Sequence, residues 1–124
     1  MTSEASPVLD SDHVADLVAL DKGAGAVFRR FVDLFVTKAP ERMALLAKCE
    51  ADADCVSLAE TAHSLRGAAG NVGAFRLAAL LGRIEAAGKT SDLPAARVAL
   101  ALLDAEYAET RAALLDAVKR RGRE

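Results

Sequence analysis

Between Asp54 and Gly73, the residues Leu58, Ala62, Leu65, Ala69 and Val72 recur at intervals of four, three, four and three. That period marks one face of an α-helix, and no strand register reproduces it. Asp54 stands where a helix cap is wanted, and Gly73 where helices commonly stop. The rest of the 124-residue chain favours the same kind of element. Alanine, the best helix former and a poor strand former, occurs 28 times. Three Pro and eight Gly are too few to turn a sandwich or barrel of many short strands, yet enough to separate four or five helices. With 52% hydrophobic residues the chain can fill the core of one ordinary domain. The expected fold is all-α, an up-and-down antiparallel four-helix bundle with an additional short N-terminal helix.

Residues 1–9 read as a flexible start, 10–121 as a single helical domain and 122–124 as a basic C-terminal tail. A short helix is predicted from about Asp12 to Leu20, capped by Asp10 or Ser11, with Val14, Leu17 and Val18 on its apolar face. Gly23 and Gly25 interrupt it. The next helix carries Val27, Phe28, Phe31, Leu34 and Phe35, and Pro40 either bends or divides it. A bend, with the helix continuing to about Cys49, is the expectation. Beyond Gly73, Leu77, Leu81 and Ile84 predict a helix that ends near Gly88 or Lys89. Ser91 or Asp92 then caps a last helix, with Pro94 in its first turn, where prolines are tolerated. Its stripe of Leu93, Ala96, Leu100, Leu103, Tyr107, Leu114 and Val118 predicts one continuous run of roughly seven turns.

The net charge of −2 removes the generic electrostatic case for nucleic-acid binding. Charge is divided unevenly, with −5 over residues 1–62 and +3 over 63–124. The terminal run Lys119, Arg120, Arg121 and Arg123 suits a helix C-terminus, where cations complement the macrodipole. No apolar run approaches the roughly 20 residues of a membrane span. Met1 to Pro7 lacks the basic and apolar regions of a signal peptide. A cytoplasmic location without membrane attachment is expected. Cys49 and Cys55 flank the acidic segment 50–54, but the only histidines are His13 and His63. Two free thiols, and no metal site, are expected there.

His63 is rotated about 100° from the core position Ala62. Its own face carries Ala59, Glu60, Arg66, Gly67 and Gly70. Two glycines inside a helix cost up to about 1 kcal/mol each relative to alanine, which this chain uses freely elsewhere. They permit either close contact between helices or an unobstructed approach to the imidazole. Arg66, three residues on, can place a positive charge beside the ring. If the two helices around Ala74 form a hairpin, Glu85 is as far after the turn as His63 is before it. The carboxylate could then accept a hydrogen bond from one ring nitrogen and leave the other free as a nucleophile. Lys89, one turn past Glu85, falls on the same side. An exposed imidazole, an orienting carboxylate, two cations and a cleared surface suit the covalent handling of a phosphoryl group.

The stretch Ala62-His63-Ser64-Leu65-Arg66-Gly67-Ala68-Ala69-Gly70-Asn71-Val72-Gly73-Ala74, followed by Leu77, Leu80 and Ile84-Glu85, resembles the histidine-containing phosphotransfer (HPt) domain family. Arg66 stands where a Lys is more usual and keeps the charge. The resemblance implies a phosphorelay intermediate in two-component signalling, not a stand-alone enzyme. His63 would accept a phosphoryl group from an aspartyl phosphate on one receiver domain and pass it to an aspartate on another. Arg66 and Lys89 would offset the phosphoryl charge and Glu85 would orient the ring. Ala59, Ser64, Gly67 and Gly70 would meet the partner. The implied partners are response-regulator receiver domains and a hybrid sensor histidine kinase. The chain would need no cofactor of its own, Mg²⁺ being supplied by the receiver. No phosphate-cradling nucleotide loop is present in the sequence, and a monomer is expected.

Two other readings compete. One is a non-catalytic helical interaction module that docks to receiver or kinase domains. The other is a sensor-kinase dimerisation domain, which usually carries an acidic residue after its histidine, where this chain has Ser64.

Overall fold

The computed structural model describes residues 8–10 and 25–121. The predicted helix from Asp12 to Leu20, with His13, and the tail 122–124 lie outside the described residues, as does most of the segment 1–9. Five helices occur in the order α1 (Ala26–Ala51), α2 (Cys55–Asn71), α3 (Phe75–Lys89), α4 (Leu93–Leu100) and α5 (Leu103–Arg121), and there is no strand among the described residues.

Pro40 neither divides nor ends α1. A proline cannot donate to the carbonyl four residues earlier, here that of Val36. The Tyr107 hydroxyl of α5 lies 3.5 Å from that carbonyl oxygen, a long hydrogen bond to a group the helix cannot serve. The last predicted helix differs from expectation. It is two helices, α4 and α5, separated by Ala101 and Leu102. The amides of both residues still bond back to α4, from Ala101 to the Arg97 carbonyl and from Leu102 to that of Ala99. The chain then starts afresh, so the predicted stripe turns a corner and covers two elements.

The joints between the first four helices share one construction. At each, the residue after the C-cap has positive φ: Ala53 at 53°, Gly73 at 80° and Ser91 at 56°. The next residue's amide reaches back to the preceding helix: Asp54 to Cys49 O at 2.9 Å, Ala74 to Ala69 O at 2.8 Å and Asp92 to Ala87 O at 2.8 Å. This is the Schellman closure. The same three residues are the N-caps of the following helices. Asp54 and Asp92 also cap with their side chains, accepting from the Ser57 and Ala95 amides at 3.1 Å each. One residue therefore ends one helix and starts the next, and the chain reverses with no free loop.

The predicted stripe Leu58, Ala62, Leu65, Ala69 and Val72 is buried throughout. It meets Leu77, Leu81 and Ile84 of α3 and Phe28, Val32, Phe35 and Leu46 of α1 in one core, closed by Leu103 and Leu114. Thr110, which no apolar pattern marks, is also fully buried, and its hydroxyl donates to the Glu106 carbonyl at 2.8 Å. Helices α2 and α3 share the most extensive contact. Ala59 faces Gly88, and Arg66 faces Gly82. As one number rises the other falls, so the pair is antiparallel. Arg121 against Gly25 and Tyr107 against Val36 set α5 antiparallel to α1 in the same way. The four longer helices alternate in direction, and α4 completes the join between α3 and α5.

Candidate functional site

His63 projects from α2 at the height expected from its distance to the turn, with its side chain 64% exposed. Glu85 of α3 lies opposite and is buried, its side chain 7% exposed. His63 Nδ1 is 2.9 Å from Glu85 Oε2, and Arg66 Nε donates to Glu85 Oε1 at 2.8 Å. Lys89 Nζ lies 3.1 Å from Oε2, an i,i+4 pair along α3. Arg66 Nη2 is also 3.1 Å from His63 Nδ1. Arginine can only donate and an ionised carboxylate can only accept, so Nδ1 cannot satisfy both as a single nitrogen. The shorter contact and the charge of Glu85 place the proton on Nδ1, donated to the carboxylate. The Arg66 guanidinium then stands beside the ring as a charge. The tautomer leaves the Nε2 lone pair free, and no partner to it occurs among the described residues.

Electrostatics keep that arrangement in place. Burial on its own would favour the neutral carboxylic acid of Glu85. Hydrogen bonds from Lys89, His63 and Arg66, together with the Arg66 charge, outweigh burial and bring the carboxyl from an ordinary 4.5 down to about 2. It is therefore an anion at any physiological pH. With a neutral ring, the cluster of Glu85, Arg66 and Lys89 carries one excess positive charge. An exposed basic nitrogen beside that excess is suited to receiving a phosphoryl group.

The two glycines on the His63 face behave alike. A Cβ built at Gly67 or at Gly70 would meet nothing within 4 Å. Neither serves a close helix contact, and both leave the surface beside the imidazole low. The glycine that does pack closely is Gly88. A Cβ there would come within 2.9 Å of the Cys55 carbonyl oxygen and 3.0 Å of the Ala59 Cβ. This corrects the expectation for Ala59: it is buried against Gly88 and holds α2 to α3, so it offers no surface to a partner. At Gly82 a Cβ would stand 3.5 Å from the Arg66 stem, an ordinary contact, so the Arg66 side chain runs beside α3 on the way to Glu85 without needing a glycine there.

Ser64 is exposed, and its hydroxyl accepts a hydrogen bond from Arg42 Nη1 of α1. Arg42 lies outside the sequence motif. The usable signal is the series Phe31, Phe35, Lys38 and Arg42, spaced four, three and four along α1, which turns from aromatic to basic on one face. Cys49 and Cys55 are free thiols. No group of three or more His, Cys, Asp or Glu is placed to hold a metal among the described residues, and no helix among them is long and apolar enough to cross a membrane.

A helical hairpin that sets an exposed histidine against a buried carboxylate and two cations defines a class of signalling domain. Residues 30–113 match the Hpt domain family, and the chain belongs to it. It has a phosphotransfer role in two-component signalling. The crystal structure of histidine-containing phosphotransfer protein B (HptB) from Pseudomonas aeruginosa PAO1 is similar, with a TM-score of 0.83 and 26% sequence identity. The match covers 94% of this chain and 98% of that one. Comparison with curated proteins gives no match.

Proposed function

We propose that the protein is a phosphorelay intermediate in which His63 takes a phosphoryl group from the aspartyl phosphate of one receiver domain and delivers it to the aspartate of another. The observation that carries this reading is the pairing of His63 Nδ1 with the buried Glu85 carboxylate on an imidazole whose side chain is 64% exposed, with no partner to Nε2 among the described residues. The Nε2 lone pair attacks phosphorus, an N–P bond forms, and the P–O bond to the receiver's aspartate breaks. The aspartate leaves as a carboxylate with the bonding pair. Nδ1 keeps its proton, so positive charge develops in the ring next to Glu85, which offsets it. Arg66 and Lys89 offset the phosphoryl charge. The return step is the same sequence in reverse with a second receiver. No deep ground state is required, because a relay must release what it accepts.

Gly67, Gly70 and Ser64 form the surface that the receiver covers, in keeping with the open space above both glycines. The Mg²⁺ that assists the transfer arrives with the receiver, since Glu85 is already engaged by three donors. The phosphorylated receivers include one belonging to a hybrid sensor kinase. The protein works as a cytoplasmic monomer, its helices burying one another's apolar stripes without a symmetric partner.

The test is to mix the protein with a panel of phosphorylated receivers and follow label over time. A single phosphohistidine at His63 is expected, labile to acid and stable to alkali, with label lost in His63→Gln and kept in His13→Gln. ATP alone should give no label. Label retained in His63→Gln would overturn the assignment, and receiver binding without any transfer would favour the docking-module reading.

A further inference from the structure

The geometry points to Arg42, with Lys38 one turn before it, as the specificity-determining cation pair that captures an acidic receiver surface and sets it over His63. This inference rests on the relay reading above and names what the partner must present.

Lys38 and Arg42 occupy one face of α1, the face turned towards α2. Between the two helices runs a groove of about 320 Å³ lined by both helices, with both cations among its lining residues. Its apolar part includes Phe31, Leu34, Leu65 and Ala68. Phe31 is 40% exposed and Leu34 58%, so large apolar surface is left in water beside the site. Among the described residues, no carboxylate lines the groove. At its His63 end, Arg42 Nη1 donates to the Ser64 hydroxyl, and Ser64 follows His63 in the chain.

The cations around His63 thus fall into two sets. Arg66 and Lys89 are both held by Glu85. Neither Lys38 nor Arg42 makes an ion pair among the described residues. A neutral hydroxyl orients the Arg42 fork without cancelling its charge, which keeps the guanidinium ready for an external carboxylate. Apolar burial in the groove is non-directional and would tolerate many partners. A rim of one sign supplies register and speeds encounter with a surface of the opposite sign. The occupant that fits is a receiver surface with an apolar ridge flanked by carboxylates. Docked there, it is anchored one residue from the phosphoryl acceptor.

Transfer from a phosphorylated receiver should be measured against receiver concentration at several ionic strengths, for the wild type and for Arg42→Glu, Arg42→Lys and Lys38→Glu. We expect Arg42→Glu to raise the half-saturating receiver concentration about tenfold at low salt, with the saturating rate within about twofold of wild type. The difference should narrow as salt rises. Lys38→Glu should act in the same direction, and Arg42→Lys should restore most of the affinity because it keeps the charge. Arg42 is exposed, so thermal melts of its variants should match wild type. A wild type that transfers normally, with Arg42→Glu indistinguishable from it, overturns this inference and leaves the relay intact. A lowered saturating rate at unchanged half-saturation would place Arg42 on the phosphoryl group and also overturn it. A dimer dissolved by Arg42→Glu would assign the groove to a second copy and would overturn it as well. A wild type that accepts no phosphoryl group from any receiver overturns the relay reading itself.

Discussion

Gly88 and Ala59 bring α3 and α2 so close that a single added carbon on Gly88 would stand 3.0 Å from the Ala59 Cβ. The contact lies one turn from Glu85 on one helix and one turn from His63 on the other. It therefore sets the gap that the 2.9 Å pairing between their side chains must span. Gly88→Ala should force the helices apart or strain them, at a cost of about 1–3 kcal/mol. It should also slow phosphotransfer, although Gly88 is out of reach of any receiver. Melting temperature and transfer rate measured on one variant check both. A variant of wild-type stability would show that α3 can shift freely, and the site would lose its spacer.

Gly67 predicts the opposite behaviour. Its surroundings are open, so Gly67→Gln should not overpack anything. In an exposed helix interior the change gains about 0.5 kcal/mol in helix propensity. The variant should melt at or slightly above the wild-type temperature and yet fail to exchange phosphoryl groups, because the new side chain stands one turn from the imidazole. A clearly lowered melting temperature would count against an open surface there.

Glu85 gives a pH signature with a definite sign. Its carboxyl lies near 4.5 in the unfolded chain and at about 2 when folded. A depressed folded value means that the stabilisation is fully present above about pH 4.5 and is lost as pH falls towards about 2. Denaturant melts of wild type and Glu85→Gln should therefore differ most at neutral pH and converge through that window. At neutral pH the Gln variant should accept phosphoryl groups roughly 10-fold or more slowly, since the ring loses its carboxylate partner. Parallel stability curves across the whole window would rule out an ionised, hydrogen-bonded Glu85.

Ala53 offers a gain of stability with no effect on the site. It holds a left-handed conformation, with φ at 53°, that costs an L-residue roughly 1–2 kcal/mol and glycine almost nothing. Ala53→Gly should raise stability by about 1 kcal/mol, visible as a few degrees in the melting temperature, with phosphotransfer unchanged. Ala53 sits at the joint between α1 and α2, away from His63, so a change in transfer rate would show that the joint reaches the site.

Much of the site is legible in the sequence because a helical hairpin is symmetric about its turn. Counting equal distances from Ala74 pairs His63 with Glu85, and helical spacing adds Arg66 and Lys89. The buried stripe from Leu58 to Val72 is readable for the same reason. What escapes depends on which neighbour covers which face. Ala59 shares the His63 face by spacing, and only the approach of Gly88 from another helix buries it. Arg42 reaches the site through the packing of α1 on α2, which no local pattern encodes. The corner at Ala101 and Leu102 lies in a run of good helix formers with no Gly or Pro to announce it, so tertiary packing must impose it. Pro40 is the converse case: a local breaker overridden by its surroundings, with Tyr107 meeting the carbonyl that it strands.

The joints without loop residues make chain length itself part of the chemistry. Glu85 follows His63 by 22 positions, and every residue between them is either helical or committed to the closure at Val72, Gly73 and Ala74. There is no slack to absorb an insertion. One extra residue within α3 before Glu85 would swing the carboxylate about 100° around its axis and leave the imidazole without its partner, with every site residue still present. The interval works as a ruler, and a homologous chain that kept all four side chains but changed the count would keep the letters of the site and lose its meaning.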